Sequence, residues 1–184
     1  MISIKKATTI EELKGILVLQ KSNLKESLES EEIDQEGFVT LNHDLGTLSL
    51  MNSYEKQIIA TNNGSVIGYA LVMVKDLKNH IPVLMPMFDM LETIEYKSKI
   101  ISESKYYIMG QVCIDKDYRG KGIFAKLYEK HKLEMASKYD YCITEVSNSN
   151  KRSMRAHEKV GFENIHSFSD ATDTWKILLL NLNL

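Results

Sequence analysis

Apolar and polar residues alternate over residues 2–6, the two-residue period of a half-buried strand. The period then lengthens. Thr9 followed by Glu12 has the spacing of a capping box, and apolar residues recur at helical spacing from Ile10 to about Gln20, so the chain opens with a strand and then a helix. Residues 24–52 are polar and acidic at first, then carry Phe38, Val39, Leu41, Leu45, Leu48 and Met51 at mixed spacing, which predicts one or two short helices. Residues 57–60 and 65–74 are β-rich runs joined across Asn63-Gly64, a dipeptide suited to the tight turn of a hairpin. Between residues 75 and 104 lie both prolines, Pro82 and Pro86, and a helical pattern around Phe88, Leu91, Ile94 and Tyr96, so this stretch reads as an insertion between strands.

The second half is more regular. Residues 106–114 form a near-continuous apolar run, expected of a central strand covered on both faces, and it ends at Asp115-Lys116-Asp117. An amphipathic helix follows over residues 122–138, with Ile123, Leu127, Tyr128, His131 and Met135 on one side. Residues 141–146 read as a strand, 150–160 as a helix closed by Gly161, and 163–168 with 174–182 as a last strand pair. The order β-α-α-β-β-(insertion)-β-α-β-α-β-β predicts one α/β domain spanning residues 1–184.

Charge and composition narrow the choice of function. A formal charge of −2, with basic residues spread along the chain, provides no global field for nucleic acid or an anionic membrane, so an anion must be gripped locally. No apolar stretch approaches the ~20 residues that span a bilayer, and the N-terminus lacks a signal-peptide run, so the expected location is the cytoplasm. Cys113 and Cys142 both lie in strand-like segments and read as reduced, buried thiols; no metal site is expected. Acidic Glu29, Glu31, Glu32, Asp34 and Glu36 suit either a solvated face or attraction of a cationic amine. Met85, Met87 and Met90 with Phe88 suit core filling, an adaptable pocket or a dimer contact, and the chain is expected to be a monomer or homodimer.

One junction carries a candidate chemistry. A buried strand runs through a charged turn into a helix that opens Arg119-Gly120-Lys121-Gly122-Ile123-Phe124. The first N–H groups of a helix lack internal partners and sit at the positive end of its dipole, and glycines let a phosphate approach them. Arg119 and Lys121 add positive charge, while a tight strand-to-helix connection is the alternative use of Gly120 and Gly122. Neither the Walker ending Gly-Lys-Ser/Thr nor the spacing Gly-x-Gly-x-x-Gly is present.

The stretch Gln111-Val112-Cys113-Ile114-Asp115-Lys116-Asp117-Tyr118-Arg119-Gly120-Lys121-Gly122 resembles the acetyl-CoA-binding signature of the GNAT superfamily, whose core is Gln/Arg-x-x-Gly-x-Gly/Ala after a strand. Arg119 and Gly122 match it, and Phe124 departs from its last position. Downstream, Glu145-Val146, Asn150, Ser153 and His157-Glu158-Lys159-Val160-Gly161-Phe162 resemble the family's strand-turn-helix ending in Tyr-Glu-Lys-x-Gly-Phe, with His157 in place of the Tyr. The resemblance implies a central, mostly antiparallel twisted sheet of about seven strands with helices on its faces and splayed central strands.

It also implies a function. Acetyl-CoA would be the co-substrate, its pantetheine arm pairing with backbone groups of Val112, Cys113 and Ile114 and its phosphates meeting Arg119 to Phe124, with Asn150, Ser153 and His157 completing the site. The acetyl group would pass directly to a primary amine of a small molecule or peptide, with a backbone N–H near Cys113 or Ile114 polarising the carbonyl. Glu145 is the candidate base acting on the amine, against a strand-edge surface carboxylate. His157 is the candidate proton donor to the thiolate, against a packed contact with the ligand. A nucleophilic Cys113 lacks an obvious partner His, and Tyr106 and Tyr107 suit either the substrate end of the cleft or the core. A non-catalytic acetyl-CoA sensor of the same fold is the alternative, and a nucleotide binder a third reading.

Overall fold

The computed structural model describes residues 1–28, 38–81, 85–171 and 173–183. The acidic run from Glu29 to Glu36 and Pro82 lie outside the described residues. In chain order the elements are β1 (Ile2–Lys6), α1 (Ile10–Lys21), α2 (Leu45–Tyr54), β2 (Ile58–Asn62), β3 (Ser65–Val74), α3 (Met85–Leu91), β4 (Glu95–Tyr96), β5 (Lys99–Ile100), β6 (Tyr106–Ile114), α4 (Ile123–Met135), β7 (Tyr141–Ser147), α5 (Lys151–Lys159), β8 (Glu163–Ser169) and β9 (Thr174–Asn181). β1, β2, β3, β6, β7, β9 and β8 form, in that order, one seven-stranded sheet in which only β6 and β7 run parallel.

Local chemistry sets several of these boundaries. Thr9 and Glu12 close the expected capping box on α1, and Asp44 caps α2 by accepting from Thr47 N at 2.7 Å. Asn63 and Gly64 take φ of 49° and 83°, the pair of positive values a two-residue hairpin turn between right-twisted strands requires. Gly161, at φ 99°, turns the chain out of α5.

The sequence pattern erred in the insertion. α3 ends at Leu91, and Ile94 and Tyr96, expected as its continuation, belong to the approach and first strand of the small β4–β5 hairpin. Lys97 and Ser98 make its turn at φ of 50° and 63° without a glycine to announce it. Tyr96 fixes the hairpin by packing edge-on against Tyr141, ring centroids 5.6 Å apart, and its hydroxyl donates to Glu163 at 3.3 Å. Met87 and Phe88 are buried core residues, which gives the Met-rich segment its packing role, whereas Met85 is exposed.

β3 is buried from Ile67 to Val74, so both faces of the sheet are covered there. α1 and α2 pack on β3, and α4 packs across β1, β2 and β3. Tyr106 and Tyr107 fall in this core, with Tyr107 stacked on His131 at 6.0 Å. β8, at the sheet's edge, is largely exposed. Among the described residues no helix is long and apolar enough to cross a membrane.

Candidate active site

The site begins where the sheet comes apart. β6 pairs with β7 only at Tyr106, Tyr107 and Ile108; from Met109 onward the two parallel strands diverge. Two local features support the break. Gly110 is the extra residue of a bulge against β3, where the register shifts between Leu71 and Val72, and a Cβ on it would stand 2.1 Å from the Met73 methyl. Thr144 of β7 donates its hydroxyl to Met109 O at 2.9 Å, satisfying a carbonyl beside the point where strand pairing stops.

The far edge of β6 leads into the cradle. Asp115 accepts from Asp117 N at 2.9 Å and sets the turn, and Gly120 and Gly122 then adopt φ of 74° and 73°, values costly for any residue with a Cβ. No side chain caps α4, so the amides of its first turn face a cavity of about 510 Å³ lined by Val112, Cys113, Ile114, Arg119, Gly120, Gly122, Ile123, Phe124 and Ala125. From α5 and its N-cap come Asn150, Ser153, Arg152, Arg155 and Lys159. The sequence reading missed the last three, although basic residues spaced i, i+3 and i+7 mark one face of a helix.

The cradle's own side chains serve other ends. Arg119 donates through Nε to Ile114 O at 3.0 Å and through Nη2 to Asn23 Oδ1 at 2.7 Å, so the Ile114 carbonyl that the resemblance offers to pantetheine has a protein partner. Lys121 donates to Asp117 O at 2.8 Å and lies over the Tyr118 ring, which leaves its backbone, rather than its charge, at the cradle. Phe124 packs against Tyr128 and His157, each with centroids 5.0 Å away. Its bulk therefore contributes to an aromatic wall.

A smaller cavity of about 70 Å³ lies in the cleft between the splayed strands, lined by Gly110, Gln111, Thr144, Glu145, His157 and Trp175. Phe38, Val39, Val112, Asn150 and Ser153 line both cavities, so the two adjoin. Segment 38–41 crosses the opening as a strap: Phe38 O accepts from Asn150 Nδ2 at 3.1 Å, and Leu41 O accepts from Gln111 Nε2 at 2.8 Å. Gln111 Oε1 in turn receives Gln20 Nε2 and the Tyr69 hydroxyl, tying strap, α1, β3 and β6 together in the interior.

Electrostatics separate the candidate groups. Burial, reinforced by the Asp170 carboxylate, pushes the Glu145 carboxyl up to about 7, suited to taking a proton near neutral pH. Burial pushes the His157 ring down to about 4, so it is neutral at pH 7. Its Nδ1 stands 2.8 Å from Ser153 O and its Nε2 2.9 Å from the Tyr128 hydroxyl. At neutral pH the ring is therefore uncharged and engaged at both nitrogens, a state compatible with either the proton transfer or the packed contact expected from the sequence. Burial raises the thiols of Cys113 and Cys142 to about 12, which leaves neither activated as a nucleophile. Among the described residues no cluster of His, Cys, Asp or Glu is placed to hold a metal ion.

Comparison with known proteins agrees with this architecture. The model of the acetyltransferase (GNAT) family matches residues 21–162. The ribosomal-protein-S18-alanine N-acetyltransferase of Escherichia coli superposes with a TM-score of 0.63 at 16% identity, over 99% of this chain and 94% of its own. An N-acetyltransferase from Staphylococcus aureus Mu50 gives 0.64 at 17% identity, over 99% of both chains. A Salmonella typhimurium protein solved with its cofactor acetyl-CoA gives 0.63 at 13% identity, over 98% of this chain and 94% of its own. No curated protein sequence matches the chain. With a family model spanning most of its length, including the cradle and α5, the chain belongs to the GNAT acetyltransferase family.

Proposed function

We propose that this protein transfers an acetyl group from acetyl-CoA directly to a primary amine of a small molecule or peptide. The observation that carries the reading is the continuity of the uncapped α4 terminus with the cleft between β6 and β7. The phosphates of coenzyme A rest on the amides from Gly120 to Phe124, with Arg152, Arg155 and Lys159 supplying positive charge. Pantetheine runs beside Val112 and Cys113 toward the strap, so the thioester reaches the smaller cavity. A β6 amide polarises the thioester carbonyl.

Glu145 is the group in that cavity matched to accepting a proton from the attacking amine at neutral pH. Its placement favours an enzyme over a coenzyme sensor, which needs no such base. The amine attacks the carbonyl carbon, the adduct collapses with loss of the thiolate, and no acyl-enzyme forms. A panel of polyamines, aminoglycosides, amino acids and peptide N-termini, assayed for acetyl-CoA-dependent acetylation by mass spectrometry, tests the reading. Acetylation of one class is the expected outcome. Thermal stabilisation by acetyl-CoA and coenzyme A with no product across the panel would support the sensor instead.

A further inference from the structure

His157 stands on α5 where its ring is walled by Phe124, Tyr128 and Phe162, with centroids between 5.0 and 5.7 Å. Ser153 O, a backbone carbonyl, can only accept, so Nδ1 at 2.8 Å from it carries the ring's proton. A neutral imidazole has one N–H, which leaves Nε2 bare and makes the Tyr128 hydroxyl, at 2.9 Å, the donor to it. The Ser153 hydroxyl lies 3.3 Å from the same Nδ1 and cannot donate to a nitrogen that already bears hydrogen. No other partner of that hydroxyl occurs among the described residues, and Ser153 lines both cavities at their junction. Its O–H is thus a donor left over for whatever passes between them.

We propose that the Ser153 hydroxyl, rather than the His157 ring, donates to the sulfur of coenzyme A as the thioester breaks, and that Tyr128 and His157 are positioning residues that keep this hydroxyl a donor. The inference rests on the acetyl-CoA reading above. When the tetrahedral adduct collapses, the carbon–sulfur bond breaks, its electron pair stays on sulfur, and the carbonyl re-forms. Ser153 then holds the thiolate by a hydrogen bond without losing its own proton. Water protonates the thiolate, and the proton released by the amine leaves through Glu145 to water, so the transfer balances.

The titration of bound coenzyme A tests this without an amine acceptor. The thiolate absorbs in the ultraviolet, so its pKa in the complex can be followed for the wild type and for Ser153→Ala. The cationic side chains Arg152, Arg155 and Lys159 lower that pKa in both proteins alike, so the difference isolates the hydroxyl. Hydrogen bonds to charged groups imply that Ser153→Ala raises the bound thiol's pKa by about one unit, a roughly tenfold loss of thiolate at fixed pH, and that Ser153→Thr restores it. His157→Phe shifts it less than Ser153→Ala.

A long-range proton–nitrogen correlation spectrum should show the wild-type ring as the Nδ1–H tautomer. An unchanged bound thiol in Ser153→Ala, a larger shift in His157→Phe, or an Nε2–H tautomer overturns the proposal and leaves the acetyl-CoA reading standing. Failure of the wild type to bind coenzyme A removes both.

Discussion

His131 lies on α4, fully buried and stacked on Tyr107, and burial pushes its ring from 6.5 down to about 3. The helix that presents the cradle is therefore anchored by a histidine that must stay neutral. For a base whose folded pKa is depressed, stability is complete above the unfolded pKa and is lost as pH falls below it. At pH 5 nearly every unfolded chain binds a proton at this position and almost no folded chain does. Linkage then removes about 2 kcal/mol relative to pH 8. That figure depends little on the folded value, provided it lies well below 5.

His131→Phe keeps an aromatic ring against Tyr107 and deletes the titration. Urea denaturation of both proteins at pH 8 and pH 5 should show the variant losing about 2 kcal/mol less than the wild type between the two conditions. Other titrating groups cancel in this double difference. His157 acts in the same direction as His131, and Glu145, whose folded pKa is raised, acts in the opposite one. Parallel losses in the two proteins would show that His131 is accessible to protons in the folded state, and the packing of α4 described above would be wrong.

Other perturbations address the cleft. Because Glu145 titrates at about 7 and works as a base only when ionised, the acetylation rate should fall as pH drops through 7; Glu145→Gln should cost about 10²–10⁴-fold and abolish that limb, and an unchanged limb would remove Glu145 from proton transfer. Thr144→Val leaves the buried Met109 carbonyl without its 2.9 Å donor and should destabilise the fold by about 1–3 kcal/mol in urea, whereas wild-type stability would show that the splay needs no such support. Arg155→Glu should weaken coenzyme A binding and flatten its salt dependence in titration calorimetry; unaltered affinity would place the phosphates away from α5.

Elements fixed by local rules were legible in the sequence. The Thr9/Glu12 box, the Asn63-Gly64 turn, the apolar run of β6 and the apolar stripe of α4 each stand where spacing predicted them. Lys97-Ser98 was opaque because non-glycine residues adopt the left-handed conformation there, held by the contacts of Tyr96 with Tyr141 and Glu163. Tertiary features were opaque for a different reason. The divergence of β6 from β7 depends on register, and the strap depends on Asn150 and Gln111, which lie far from it in the chain.

Residue roles divided the same way. Gly120 and Gly122 announced the cradle, but nothing local showed that the guanidinium of Arg119 pairs with Asn23 or that Lys121 covers Tyr118. His157 could be placed in the site by its motif. Its charge state could not, because it depends on burial of the ring, and two of the rings around it, Phe124 and Tyr128, come from α4, which only the tertiary packing brings against α5.

Titration calorimetry of the wild-type protein with coenzyme A, with ATP run in parallel, tests the central claim most directly. Cradle and cleft together predict saturable one-to-one binding of coenzyme A that ATP does not reproduce, since ATP lacks the pantetheine arm proposed to enter the opening between β6 and β7. Binding of ATP without binding of coenzyme A, or no binding of either, would contradict it.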